Sequence, residues 1–198
     1  MATQPPTADG PATRVSSVAA SAGLGVLAAA IGYLLTYLLI VDEVRDVFGE
    51  SVPEWTGVAW YFYNAHMVDV ETTGAFGAVT GSSTVDFVAQ SGSTSATLLY
   101  VIPPLVLVGI GAVLAVQLEV TEIGDAVVAG APVTIGYAVV LALGALVAEA
   151  SAETTVFGLE IGGSVSPEFL PALVLGGILY PLVFATAGAV LAATLRSQ

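Results

Sequence analysis

The chain has 198 residues, of which 56% are hydrophobic and only 10% charged. A soluble domain carries roughly 25% charge, so this chain lacks the charge to cover a fully wet surface. Sixteen acids against three arginines, with no lysine, give a net charge of −13. That excludes a basic face for nucleic acid and a polybasic lipid-binding patch. The absence of cysteine excludes disulfides, thiolate metal sites and cysteine nucleophiles.

Residues 1–17 are rich in Pro, Thr and Ala and are expected to be a disordered tail. Four stretches then run without Asp, Glu, Lys, Arg or His: 18–41, 98–118, 126–148 and 169–195. A bilayer core about 30 Å thick takes roughly 20 apolar residues as a helix, and only a helix or closed barrel satisfies its backbone there. The first stretch holds eleven Leu, Ile or Val. At about −0.3 to −0.6 kcal/mol each, these favour insertion by roughly 3 to 7 kcal/mol. Its apolar run is longer than the 7–15 residues of a signal peptide, so it is read as a retained span. The expected fold is an all-α membrane protein: a four-transmembrane-helix bundle at residues 18–198.

Arg14 precedes span 1 and Arg196 follows span 4, which places both termini on one side, cytoplasmic by the positive-inside rule. The segments 42–97 and 149–168 then lie outside with net charges of −7 and −4, and the inside keeps −2.

The outer segment 42–97 contains WTGVAWYFYNAHMVDV, Trp55 to Val70, which is apolar and aromatic but too short to cross. Such rings suit the membrane interface, so a short interfacial helix is expected. The alternative is a lid packed over the bundle. Val85, Phe87 and Ala89 alternate with Asp86, Val88 and Gln90, as in a strand. Phe157, Leu159 and Ile161 alternate likewise, with Gly162–Gly163 read as a turn. Both pieces lie on one side and can pair as a small extracellular β-cap.

Pro104–Ala115 and Pro181–Ala192 are identical at eight of twelve positions, and Ile31-Gly32-Tyr33 recurs as Ile135-Gly136-Tyr137. Either a two-span hairpin is duplicated in parallel, or apolar composition alone repeats. Pro104 and Pro181 are the expected helix breaks. Small residues recur at four-residue spacing, as at Ser21, Gly25 and Ala29 and at Gly188 and Ala192, and favour close helix packing.

Charged groups inside spans mark proton relays and ion paths, and here there are none. His66, the only histidine, lies three residues before Asp69. A metal site needs more ligands than this, so no metal or other cofactor is expected. Acid excess without lysine fits a surface kept hydrated in high salt.

The Trp55–Val70 piece, LLYVIPPLVLVGIGAVLA in span 2 and GGILYPLVFATAGAVLA in span 4 together resemble a family of uncharacterised four-span membrane proteins of halophilic archaea. The resemblance implies location and topology, and no activity. It makes Trp60, Tyr63, Asn64, Ala65 and His66, with Asp69 beyond them, the candidate outer-face segment. The expected function is a non-enzymatic component of the cell membrane that acts by helix packing or assembly. Its partners would be the lipid bilayer and a second copy or another membrane protein, not nucleic acid. The alternative is a channel or transporter for a small solute or ion, with an acidic outer vestibule.

Overall fold

The computed structural model describes residues 11–76, 79–156 and 159–198. Four helical stretches are long and apolar enough to cross a membrane: Val18–Phe48, Thr94–Gln117, Ile123–Val147 and Phe169–Arg196. Their number and places match the expected spans, and their ends and continuity differ.

Helix α1 (Pro11–Phe48) begins within the stretch expected as tail, whose residues 1–10 lie outside the described ones. It also continues past Val41. Its 38 residues make a rod about 57 Å long, nearly twice the hydrocarbon thickness. Asp42 and Arg45, one turn apart near its end, form an ion pair at 2.9 Å. Helix α2 (Glu54–Asn64) follows, then strands β1 (Val70–Phe76) and β2 (Val79–Val85) and the short helix α3 (Phe87–Ser91).

Span 2 consists of α4 (Thr94–Leu99) and α5 (Ile102–Gln117). The expected break at Pro104 falls just before it, at Tyr100–Val101, because Pro103 and Pro104 have no N–H to give the carbonyls of Leu99 and Tyr100 four residues back. Pro103 and Pro104 then occupy the first turn of α5, where no helical N–H is needed. Span 3 consists of α6 (Ile123–Gly130) and α7 (Val133–Val147), joined at Ala131–Pro132. Strands β3 (Ala150–Val156) and β4 (Leu159–Pro167) lead to span 4. That span is α8 (Phe169–Pro171), a π-helical stretch (Ala172–Leu179) and α9 (Tyr180–Arg196). The π stretch is what Pro181 produces. Its ring would clash with the carbonyl four residues back, so the preceding turns widen, and Tyr180 N–H bonds to Leu175 O.

The helices pack as two couples, α1 with α7 and α5 with α9. In a four-span chain each couple runs parallel. Both use glycines at the crossing. A Cβ on Gly25 would lie 2.0 Å from Val133 O, and one on Gly136 would lie 1.8 Å from Ala22 O. Only a bare Cα permits such an approach, as in small-xxx-small membrane packing.

The strands form one antiparallel sheet in the order β2-β1-β4-β3. The two outer segments do pair, through β1 and β4, with Val70 opposite Pro167 and Gly74 opposite Gly163. Two local expectations are corrected. The strand expected at 85–90 ends at Val85, because the Asp86 carboxylate accepts from Ala89 N–H and starts α3. Gly162–Gly163 is no turn but the middle of β4, where a Cβ on Gly163 would come 2.8 Å from Thr73 O. Phe157 and Gly158, part of the expected alternation, lie outside the described residues.

The interfacial helix is also corrected. A helix lying on a bilayer shows one apolar face to lipid, whereas α2 is buried all round from Thr56 to Asn64. It is wedged into the sheet-bearing end of the bundle, so the lid reading holds. Gly57 makes the fit possible: its missing Cβ would lie 2.6 Å from the Val44 side chain.

Candidate functional site

The wedge brings Trp60, Tyr63, Asn64 and His66 into the interior together. Each carries a polar group that lipid would leave unpaired, and each finds a partner. Trp60 Nε1–H donates to Ala148 O at 2.8 Å, at the end of α7, where carbonyls lack a helical donor. The Tyr63 hydroxyl donates to Leu141 O at 2.6 Å. Gly144 makes room for it, since a Cβ there would lie 2.5 Å from that hydroxyl. Asn64 ties the end of α2 to the segment before α3: its Nδ2 donates to Val68 O at 2.9 Å and its Oδ1 accepts from Phe87 N–H at 2.9 Å.

His66 is fully buried, and both ring nitrogens are engaged. Nδ1 lies 2.7 Å from Phe62 O and Nε2 lies 2.6 Å from the Tyr137 hydroxyl. A carbonyl only accepts, so Nδ1 carries the proton, Nε2 accepts, and the Tyr137 hydroxyl donates. Burial pushes the histidine down to about 4, a shift the Phe62 carbonyl partly opposes, so the ring is neutral. The rings of Phe62 and Tyr180 flank it, with centroids 4.6 and 5.2 Å away. The π stretch of span 4 closes the other side. Gly176 faces the pair, and a Cβ there would stand 3.4 Å from His66 Cβ and 2.8 Å from Leu141.

After His66 the chain reverses through Met67, at φ +58°. Val68 N–H bonds to Tyr63 O and Met67 N–H to Asn64 O, the helix ending in which glycine normally takes the left-handed position. Asp69 is exposed and joins none of this; its carbonyl accepts from Glu168 N–H at 3.0 Å.

A second polar set lies at the mouth of the wedge. Glu54 accepts from Arg45 at 2.7 Å and from the Tyr37 hydroxyl at 2.9 Å. The Arg45 guanidinium holds its carboxyl below the usual carboxylate range. Tyr61 donates to Glu43, which also accepts from Ser93 at 2.7 Å, and burial raises both Tyr61 and Tyr63.

Sequence reasoning found His66 but not Tyr137, Tyr180 or the glycines opposite. A tyrosine in mid-span carries a hydroxyl that must find a partner, and that signal was available at Tyr137. Chemically the cluster is closed: a neutral imidazole spent on internal bonds, with no carboxylate bonded to it. Among the described residues no group of three His, Asp or Glu side chains is placed to hold a metal ion. Comparison with curated proteins and with solved structures gave no match. Residues 1–196 match the family of unknown function DUF7978, and the chain belongs to that family.

Proposed function

We propose that the protein is a non-enzymatic, multi-pass component of the cell membrane that works by assembly with a second copy or with another membrane protein. The observation that carries this reading is the burial of α2 from Thr56 to Asn64 at the sheet end of the bundle. Aromatic rings packed into that end favour a closed, packed component over one with an aqueous mouth there. Among the described residues the buried polar side chains, Ser21, Thr36, Thr56, Asn64 and His66, include no charged group to serve as a relay. In this reading both termini are cytoplasmic and the acidic sheet faces outward, where its negative charge keeps it hydrated in high salt. The small-residue stripes at Gly25, Gly136 and Gly188 are spent on packing within the chain, so the sheet is the surface left for a partner. Its outer strands β2 and β3 each have one unpaired edge.

The test is purification of the full chain in mild detergent at high salt, with sizing, identification of what accompanies it, and reconstitution into liposomes. A defined homo-oligomer or a reproducible membrane partner, with tight liposomes, is the expected result. Ion or small-solute flux through the reconstituted chain overturns it in favour of a channel or transporter with an acidic vestibule.

A further inference from the structure

Helices α1 and α7 touch closely at Gly25 and Gly136, but farther toward the sheet end a crevice opens between them, bridged by α2. Its volume is about 230 Å³. It exists because the residues around it are small: Ala29, Ala30, Ala59, Gly144 and Ala148 form much of its surface. Rings of Tyr33, Trp55, Phe62 and Tyr63 form most of the rest, with aliphatic side chains of α7. Protein interiors are close-packed, and a crevice of this size in the side of a bundle is an exception.

Three observations identify the occupant. First, the crevice offers water few partners. The protons of its two hydroxyls are already donated, Tyr33 to Trp55 O at 2.9 Å and Tyr63 to Leu141 O at 2.6 Å. A stable water needs two to four partners, and an apolar cavity without them stays dry. Second, the mouth is continuous with the apolar band that the spans turn to lipid. Val147 at its edge is 63% exposed, with Leu143 and Leu34 each 59% exposed on the same two helices. Third, a polar rim stands at one end. Glu54, next to Trp55 in sequence, is held by Arg45 and Tyr37, polar groups of the kind a lipid's glycerol and headgroup would meet.

We propose that this crevice seats one hydrocarbon chain of a bilayer lipid. At about 230 Å³ it exceeds the roughly 150 Å³ apolar cavity that takes up a benzene-sized molecule. The rest of the chain lies along the lipid-facing surface of α1 and α7, with its polar end level with Glu54 and Arg45. The site is independent of the assembly reading, since a conducting or monomeric protein would hold the same chain.

The test uses the full protein reconstituted in phosphatidylcholine vesicles containing a trace of phosphatidylcholine with a photoreactive group in one chain. Adducts are mapped by mass spectrometry. Trp55 and Val147 are 48% and 63% exposed; Leu98 and Leu170, at the same end of the bundle, are 50% and 66% exposed and serve as matched controls. Trp55 and Val147 are expected to carry several-fold more lipid adduct than those controls. The variants Ala30→Leu and Ala59→Leu, which fill the crevice, are expected to bring them down to the control level while Leu98 and Leu170 stay unchanged. Equal labelling at all four positions in the wild type overturns the proposal. So does an excess that survives filling, which would place the lipid elsewhere on that face.

Discussion

Gly111 of α5 and Gly188 of α9 are the two halves of one reciprocal contact. A Cβ on Gly111 would lie 1.9 Å from Ala185 O, and a Cβ on Gly188 would lie 2.0 Å from Val108 O. The offset from 111 to 188 is 77, the same as from Pro104 to Pro181, and 108 stands to 185 likewise. The similarity between the two segments is therefore one of contact as well as of letters. Each glycine brings its Cα–H against the carbonyl of the partner helix, a weak hydrogen bond that recurs where membrane helices pack closely.

Gly111→Ala and Gly188→Ala should each force α5 and α9 apart. The atom met is backbone, which cannot swing away, and overpacking of this kind costs about 1–3 kcal/mol. Gly109→Ala, two residues from Gly111 and facing open space, should be neutral or raise stability by up to about 1 kcal/mol from helix propensity. Thermal unfolding of the three variants in detergent checks this. Equal effects at 109 and 111 would show that the glycines are not the closure point of the couple.

His66 should make the fold sensitive to mild acid. Its folded value of about 4 lies below the ordinary 6.5, so an unfolded chain binds the proton first as pH falls. The stability due to the neutral ring is complete above about 6.5 and is lost as pH drops through the window down to about 4. The groups facing the ring are the hydroxyl-bearing Tyr137 of α7 and Tyr180 of span 4, with the Phe62 carbonyl on α2, and none is a carboxylate that would hold the charged form. The melting temperature of the wild type should fall between those pH values more steeply than that of His66→Gln. Tyr137→Phe, which leaves Nε2 without its donor, should cost about 1–3 kcal/mol at neutral pH. Parallel pH profiles for wild type and His66→Gln would contradict the assignment.

The spans were legible because lipid imposes a length and a composition that any helix must meet. The pairing of β1 with β4 was legible as a meeting of two segments, though one strand was misplaced: Asp86 sits within an apparent alternation, and its capping bond to Ala89 outweighs that pattern. The place of α2 was not legible. Rings bound for a membrane interface and rings bound for a bundle interior are the same residues. What decides is the space left on other helices, at Gly32 opposite Phe62 and at Gly144 opposite Tyr63. Those glycines look like any others in an apolar run. The site was half legible for the same reason: His66 was found by its rarity, whereas Tyr137 joins it across 71 residues of chain.

The lack of cysteine makes the orientation directly measurable, because any introduced thiol is the only one present. Ser82 lies in β2 and is exposed, and Ser197 follows α9 and is exposed at the opposite end of span 4 from the sheet. Two arginines near the ends of spans 1 and 4 argue that both termini are inside, and an excess of basic residues is what holds loops on the cytoplasmic side. A membrane-impermeant maleimide applied to intact cells should then label Ser82→Cys, and should label Ser197→Cys only after the membrane is opened. The reverse pattern would invert the protein. It would also turn the acidic sheet toward the cytoplasm, where its partner would have to be a soluble protein or the cytoplasmic face of another membrane protein.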